Sequence, residues 1–303
     1  MNVSPVELIE VGPRDGLQNE SVPVDTATKL ELIQRLLDAG QRRIEVTSFV
    51  NPKKVPQMAD ADALCEQLPQ HPHARYAGLV LNERGYERAR ATGRLHEVCF
   101  VVCASDSFGQ RNQGQSIEQG LQVTGAITRA AKRDGLTTSA TITVAFGCPF
   151  EGEVDPARVV DIAEALAAQA PDEIVLADTI GVAVPTQVTA LIAATRARIG
   201  DRVVLRGHFH NTRNTAIANI VAALQAGVSR FDASVGGVGG CPFAPAATGN
   251  IASEDVAYLL RRMGVPLAAD LERLIATAHW LGEKLGRTLP SMVSRAGDFP
   301  ASH

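Results

Sequence analysis

Eight short runs rich in apolar and β-branched residues recur along the chain, near residues 6–11, 43–47, 76–81, 97–103, 138–145, 173–178, 203–208 and 229–235. Helical patterns separate most of them. Leu30, Ile33, Leu36 and Leu37 ending at Gly40, or Ile217, Ile220, Val221 and Leu224 ending at Gly227, set an apolar stripe on one face and a glycine at the stop. Strand and helix alternating in this way predict a parallel sheet, and eight repeats predict its closure into a (β/α)8 TIM barrel. The rival is an open doubly wound sheet, whose first turn ordinarily carries a phosphate fingerprint. The whole chain reads as one domain: a barrel over about residues 5–250, then extra C-terminal helices from Ser253 to about Gly286 and a loosely ordered tail from Thr288 to His303.

Composition excludes several other classes. At 303 residues, 45% of them hydrophobic, and with a net charge of −4, the chain can bury one large core. No apolar run reaches the length of a membrane span, and Met1-Asn-Val-Ser-Pro leads at once into the first strand, so a cytoplasmic protein without a targeting peptide is expected. The five cysteines lack C-x-x-C spacing and fit reduced thiols, with Cys99 and Cys103 as small core fillers. Basic residues are scattered, and one Trp and three Tyr offer little stacking surface, so neither nucleic acid nor membrane is an expected partner.

Three polar clusters stand at strand ends. Glu10-Val-Gly-Pro-Arg14-Asp15-Gly-Leu-Gln18-Asn19-Glu20 crowds charges and amides into one turn, where desolvating them is costly unless something binds there. His208-Phe-His210 puts two imidazoles on one face of a strand end, a spacing suited to a metal. Gly236-Gly-Val-Gly-Gly-Cys241 makes a flexible loop with one thiol at its end, which reads as a mobile lid. Glu45 and Ser48 end the second strand, Asp178 ends the sixth, and Asn250 follows the eighth. All of these fall on the C-terminal rim, where this fold collects catalytic groups.

Taken together, Val11-Gly-Pro-Arg-Asp-Gly-Leu-Gln-Asn-Glu20, Glu45-Val-Thr-Ser-Phe-Val50, Val55-Pro-Gln-Met58, Gly147-Cys-Pro-Phe-Glu-Gly152, Asp178-Thr-Ile-Gly181, His208-x-His210 and the Cys241 loop with Asn250 resemble the hydroxymethylglutaryl-CoA lyase family. That resemblance implies retro-Claisen cleavage of a 3-hydroxyacyl-CoA thioester, a role in leucine degradation, and a homodimer or larger homo-oligomer. It puts Asp15, His208, His210 and Asn250 on a divalent metal, for which mixed nitrogen and oxygen donors suit Mg2+ or Mn2+. Arg14 would stabilise the enolate, with Gln18, Ser48 and Arg213 as further substrate-binding candidates. Asp15 and His208 are both candidates for the base, and Glu45 and Asp178 are supporting carboxylates that orient Arg14 or the ligands. Cys241 suits the acid, because a thiol is still protonated at neutral pH yet yields its proton more readily than a hydroxyl.

The chain also departs from that pattern. Asn211-Thr-Arg213-Asn214 stands where these lyases usually read Asp-Thr-Tyr-Gly, and Phe150 replaces a frequent tyrosine. If Arg213 points into the pocket, it could hold the distal carboxylate of the acyl chain; otherwise it lies on the outer side of its loop, paired with a carboxylate or solvent. Citramalyl-CoA is the nearest alternative substrate, giving acetyl-CoA and pyruvate. A condensing acyl transferase of the same superfamily, a metal hydrolase and a catalytically silent scaffold are more distant readings.

Overall fold

A computed structural model describes residues 5–240 and 249–300. Its eight parallel strands, β1 (Glu7–Glu10), β2 (Arg43–Ser48), β3 (Arg75–Leu79), β4 (Glu97–Cys103), β5 (Thr137–Thr143), β6 (Glu173–Asp178), β7 (Val204–Phe209) and β8 (Arg230–Ala233), pair in chain order, and β8 closes on β1. Around them run α1 (Thr26–Asp38), α2 (Ala61–Glu66), α3 (Glu83–Ala91), α4 (Asp106–Asn112), α5 (Ile117–Arg133), α6 (Pro156–Ala168), α7 (Pro185–Ile199), α8 (Ala216–Gln225) and α9 (Ser253–Arg262), followed by α10 (Leu271–Leu285) and α11 (Met292–Ala296). The expected barrel with added C-terminal helices is therefore present, and each expected strand is found within a few residues. Among the described residues, no helix is long and apolar enough to cross a membrane.

Local sequence explains the helices. In α1 the Asp25 carboxylate accepts the Thr28 amide at 2.8 Å, while Leu32, Ile33, Leu36 and Leu37 are buried and Gly40 ends the element at φ +88°. In α8 the buried face is turned from the expected stripe. Ala216, Asn219, Ile220 and Ala223 face inward, and Ile217, Val221 and Leu224 are only half-buried, because the smaller side chains let the helix approach the barrel closely.

The lower barrel interior is ionic. Arg43 donates to both oxygens of Glu97 at 2.8 Å each and to both oxygens of Glu173 at 2.7 Å each. Arg206 donates to Glu173 at 3.0 Å, and Arg230 also pairs with Glu173. Strand alternation sends Arg43, Glu97, Glu173 and Arg206 inward, and burial of so many charges is tolerable only because each meets an opposite one with aligned hydrogen bonds. Ala77, Leu79 and Cys99 form a separate small apolar cluster against Leu81 and Val101 on the β3–β4 side.

Of the tail expected to be loose from Thr288 to His303, the described residues to 300 include a helix, α11, and residues 301–303 lie outside the described residues. Asp255 in α9 accepts the Ser291 hydroxyl at 3.1 Å and the Val293 amide at 2.7 Å, which starts α11, and Leu289 is buried beneath the loop after β8. These bonds fix residues that, read as sequence, have no strong helical periodicity.

Candidate active site

The turn after β1 is a single wide π-type turn, Gly12–Gly16, closed by the Gly16 amide on the Val11 carbonyl at 3.1 Å. A side chain at Gly16 would place its Cβ 2.6 Å from Val238 Cγ2, so glycine allows this turn to press against the loop after β8. Arg14 is thereby aimed inward between two carboxylates: Nη1 lies 2.7 Å from Asp15 Oδ1 and Nη2 lies 2.7 Å from Glu45 Oε2. A bulge between Glu45 and Thr47 adds a residue to β2, so that Glu45 and Ser48, three apart, both reach the same turn. Ser48 donates to Gln18 Oε1 at 3.1 Å.

On the opposite side of that turn, Asp15 meets β7. The ligand atoms offered by Asp15, His208 and His210 all lie within 4.8 Å of one another, and the two imidazole centroids are 5.2 Å apart. Asn250 Nδ2 donates to Asp15 Oδ2 at 2.8 Å and to the Val238 carbonyl at 3.2 Å, so the fourth expected ligand also reaches the cluster. Burial pushes the Asp15 carboxyl up, but Arg14, both histidines and Asn250 bring it down to about 2, which keeps it anionic. Burial and the neighbouring His208 hold His210 down at about 4, so its ring is neutral and has a lone pair to offer.

This donor set fits a divalent cation. It combines the anionic oxygen of Asp15 and the neutral ring of His210 with the His208 imidazole and, among the described residues, contains no thiolate. Among the described residues the buried Nδ1 of His210 has no hydrogen-bond partner, which leaves a polar atom for a ligand to satisfy.

Other expected residues are placed differently. Asp178 gives one oxygen to the Val182 amide at 2.8 Å and the other to the Ala183 amide at 3.0 Å, so it braces its own loop, whereas Glu45 and Asp15 orient Arg14. Arg213 is exposed, and its Nη1 donates to the carbonyls of Ile180 at 3.1 Å and Gly181 at 2.9 Å. Its exposure matches the solvent-facing alternative and not a buried guanidinium turned toward an acyl chain, and backbone carbonyls of the β6–α7 loop hold it. Asn214 takes φ +61°, the left-handed conformation that glycine favours and asparagine tolerates, which explains how it can stand in a glycine position. Arg111 stacks over Phe150, 4.0 Å from the ring centroid.

Cys241 lies outside the described residues. The stem of its loop is not loose, however. Gly236 has φ +69°, a Cβ there would fall 2.2 Å from Leu289 Cδ1, and its amide donates to both oxygens of buried Glu254 at 3.0 and 2.9 Å. Glu10 accepts the Val235 amide at 2.9 Å, the Gly12 amide at 2.8 Å and the Ser253 hydroxyl at 2.6 Å. Glu10 ties the loop stem to the Arg14 turn and Glu254 ties it to α9, roles that sequence reading did not assign to either. The available signal was a carboxylate at each end of segments otherwise built for burial.

A family profile described as HMGL-like matches residues 5–281. An (R)-citramalyl-CoA lyase of Chloroflexus aurantiacus is 48% identical over 302 residues, covering 96% of this chain and 95% of that protein. A hydroxymethylglutaryl-CoA lyase of Bacillus subtilis is 42% identical, covering 94% and 95%. The crystal structure of hydroxymethylglutaryl-CoA lyase from Pseudomonas aeruginosa superimposes with a TM-score of 0.92 at 41% identity, over 98% of each chain. With its barrel, its rim residues and these full-length likenesses all in agreement, the chain belongs to the HMGL-like family of carbon–carbon lyases.

Proposed function

We propose that the protein is a divalent-metal-dependent lyase that cleaves 3-hydroxy-3-methylglutaryl-CoA to acetyl-CoA and acetoacetate. The observation that carries this reading is the convergence of Arg14 with Asp15, His208 and His210 on one rim, an enolate-stabilising cation beside a cluster suited to Mg2+ or Mn2+. Bound there, the ion supplies a template and Lewis acid for the substrate's C3 hydroxyl and a neighbouring oxygen.

The chain's own residues account for the remaining needs. Arg14 is locked by Glu45 and Asp15 before substrate arrives, so it meets the thioester oxygen as charge develops there without reorganising, a contribution of roughly 3 kcal/mol from one well-placed donor. Asp15 and His208 are the candidate bases for the hydroxyl proton, and His208 could serve only with its Nε2 off the metal. Cys241 fits the acid that protonates C2. Gly240 accepts a hydrogen bond from Asn19 at 3.0 Å and Gly249 accepts one from Asn211 at 3.1 Å, so both ends of its segment are anchored on the rim. An open groove of about 600 Å³ lined by His279, Gly282, Arg287, Leu289 and Arg295 adjoins the loop stem, and Arg287 pairs with Glu20 of the first loop. Glu283 lines it as well, so its charge is mixed, and its volume is the feature that suits it to the coenzyme A moiety. The free thiols of Cys65, Cys99, Cys103 and Cys148 are compatible with a reducing compartment.

Citramalyl-CoA is the second reading, favoured by the 48% identity to a citramalyl-CoA lyase. The two substrates share the thioester, the tertiary alcohol and the methyl group, and differ by one methylene before the distal carboxylate, so the same machinery serves both. Product analysis on both thioesters, with chelator and then with added Mg2+ or Mn2+, decides between them. Acetoacetate with acetyl-CoA supports the first, pyruvate with acetyl-CoA the second, and full turnover in metal-free protein overturns the metal-dependent reading.

A further inference from the structure

One buried carboxylate in contact with the cluster has no part in the scheme above. Asp232 on β8 sits directly across from His208 in the β7–β8 register. Its Oδ2 lies 3.0 Å from His208 Nδ1, and its Oδ1 lies 3.2 Å from Arg206 Nε in an ion pair that is not well aligned as a hydrogen bond. Arg206 in turn donates to Glu173, which is gripped by Arg43, whose other partners are Glu97 and Glu7. A network of alternating charges therefore runs up the barrel interior and ends at Nδ1 of one imidazole.

We propose that Asp232 is a positioning residue: it holds the proton of neutral His208 on Nδ1, so that Nε2 presents its lone pair to the rim cluster. The inference rests on reading Asp15, His208 and His210 as a metal site. The physical reason is that a neutral imidazole has one donor and one acceptor nitrogen, and a carboxylate at Nδ1 selects which is which. Arg206 keeps that carboxylate in place from below, since its guanidinium is fixed between Asp232 and Glu173 and cannot swing away without stranding a buried charge. The two histidines are thus unequal by construction. Backbone alternation orients both, but His208 has a carboxylate on Nδ1 and, among the described residues, His210 Nδ1 has no partner.

Two measurements on purified, metal-depleted full-length protein test this. Long-range 15N–1H correlation spectra at pH 8.5, with His208 identified by its loss in His208→Gln, report the tautomer without any metal or turnover. The Nδ1-protonated form in the native protein, replaced by the Nε2-protonated form or a mixture in Asp232→Asn, is the expected result. Nε2 protonation in the native protein, or no change in the variant, overturns the proposal. Mn2+ titration followed by electron paramagnetic resonance gives the second readout, with affinity expected to fall about 10- to 100-fold in Asp232→Asn. Native affinity retained in Asp232→Asn refutes the positioning role while leaving the metal site standing, whereas no Mn2+ binding by native protein refutes the metal site itself. If Asp232→Asn does not fold, Arg206→Lys, which keeps the charge but loses the fixed fork, is expected to weaken Mn2+ binding by a smaller factor, and unchanged affinity there overturns the proposal.

Discussion

Replacing Arg43 by methionine removes the centre of the interior ion network while leaving a side chain of similar length. Four charge-assisted hydrogen bonds of 2.7–2.8 Å to Glu97 and Glu173 disappear, with a longer one of 3.3 Å to the more exposed Glu7. Their loss is unequal for Glu97 and Glu173. Glu173 keeps Arg206 and Arg230, but the nearest remaining cation to Glu97 is Arg206 Nη1 at 3.8 Å. Glu97 is 1% exposed, so its charge is left buried and nearly unpaired, a situation that costs about 3–5 kcal/mol. With an unfolding entropy of about 2.1 cal/mol/K per residue, that corresponds to a fall in Tm of roughly 5–8 °C for a chain of this size. Differential scanning calorimetry at neutral pH is the assay. Burial raises the Glu173 carboxyl, but Arg206, Arg43 and Arg230 together bring it to about 2. Its stabilising contribution is therefore complete above about pH 4.5, lost as pH falls toward 2, and fully present at neutral pH. Adding Glu97→Leu to Arg43→Met should recover most of the lost Tm, because the stranded charge is gone. A single variant within about 2 °C of native, or a double variant less stable than the single, would refute the reasoning.

Three further outcomes follow from the site. Asn214→Val should cost about 1–2 kcal/mol in urea unfolding, because a β-branched residue is strained at φ +61°, while Asn214→Gly should be nearly neutral; equal effects would count against backbone strain. Burial raises the Glu254 carboxyl to about 8, so the folded state holds a proton that the unfolded state releases between about pH 4.5 and 8, and native stability falls across that window; Glu254→Gln should flatten this dependence in melts taken from pH 5 to pH 8, and parallel curves would count against it. Cys241→Ser keeps size but raises the donor pKa, so a large fall in kcat with little change in KM is expected; unchanged kcat would move the acid elsewhere.

The strand–helix alternation determined the barrel, because each period reports locally which face is buried, and eight such units close in only a few ways. The rim location of Arg14, Asp15, His208, His210 and Asn250 followed from the same reading, since strand ends are visible as the points where apolar runs stop. Their approach to one another could not be read there: the Arg14–Glu45 pair depends on a bulge in β2 and on a π-type turn, and neither has a sequence period. Asp178 and Arg213 were also candidates for the site in sequence, and only the tertiary structure shows that backbone amides hold the one and backbone carbonyls the other. The Arg206-x-His208-x-His210 alternation did carry a trace of the ion network, but its partners Asp232, Glu173, Arg43 and Glu97 lie on other strands. Inward direction on one strand is local, whereas the pairing of charges between strands exists only once the sheet has closed and set its register.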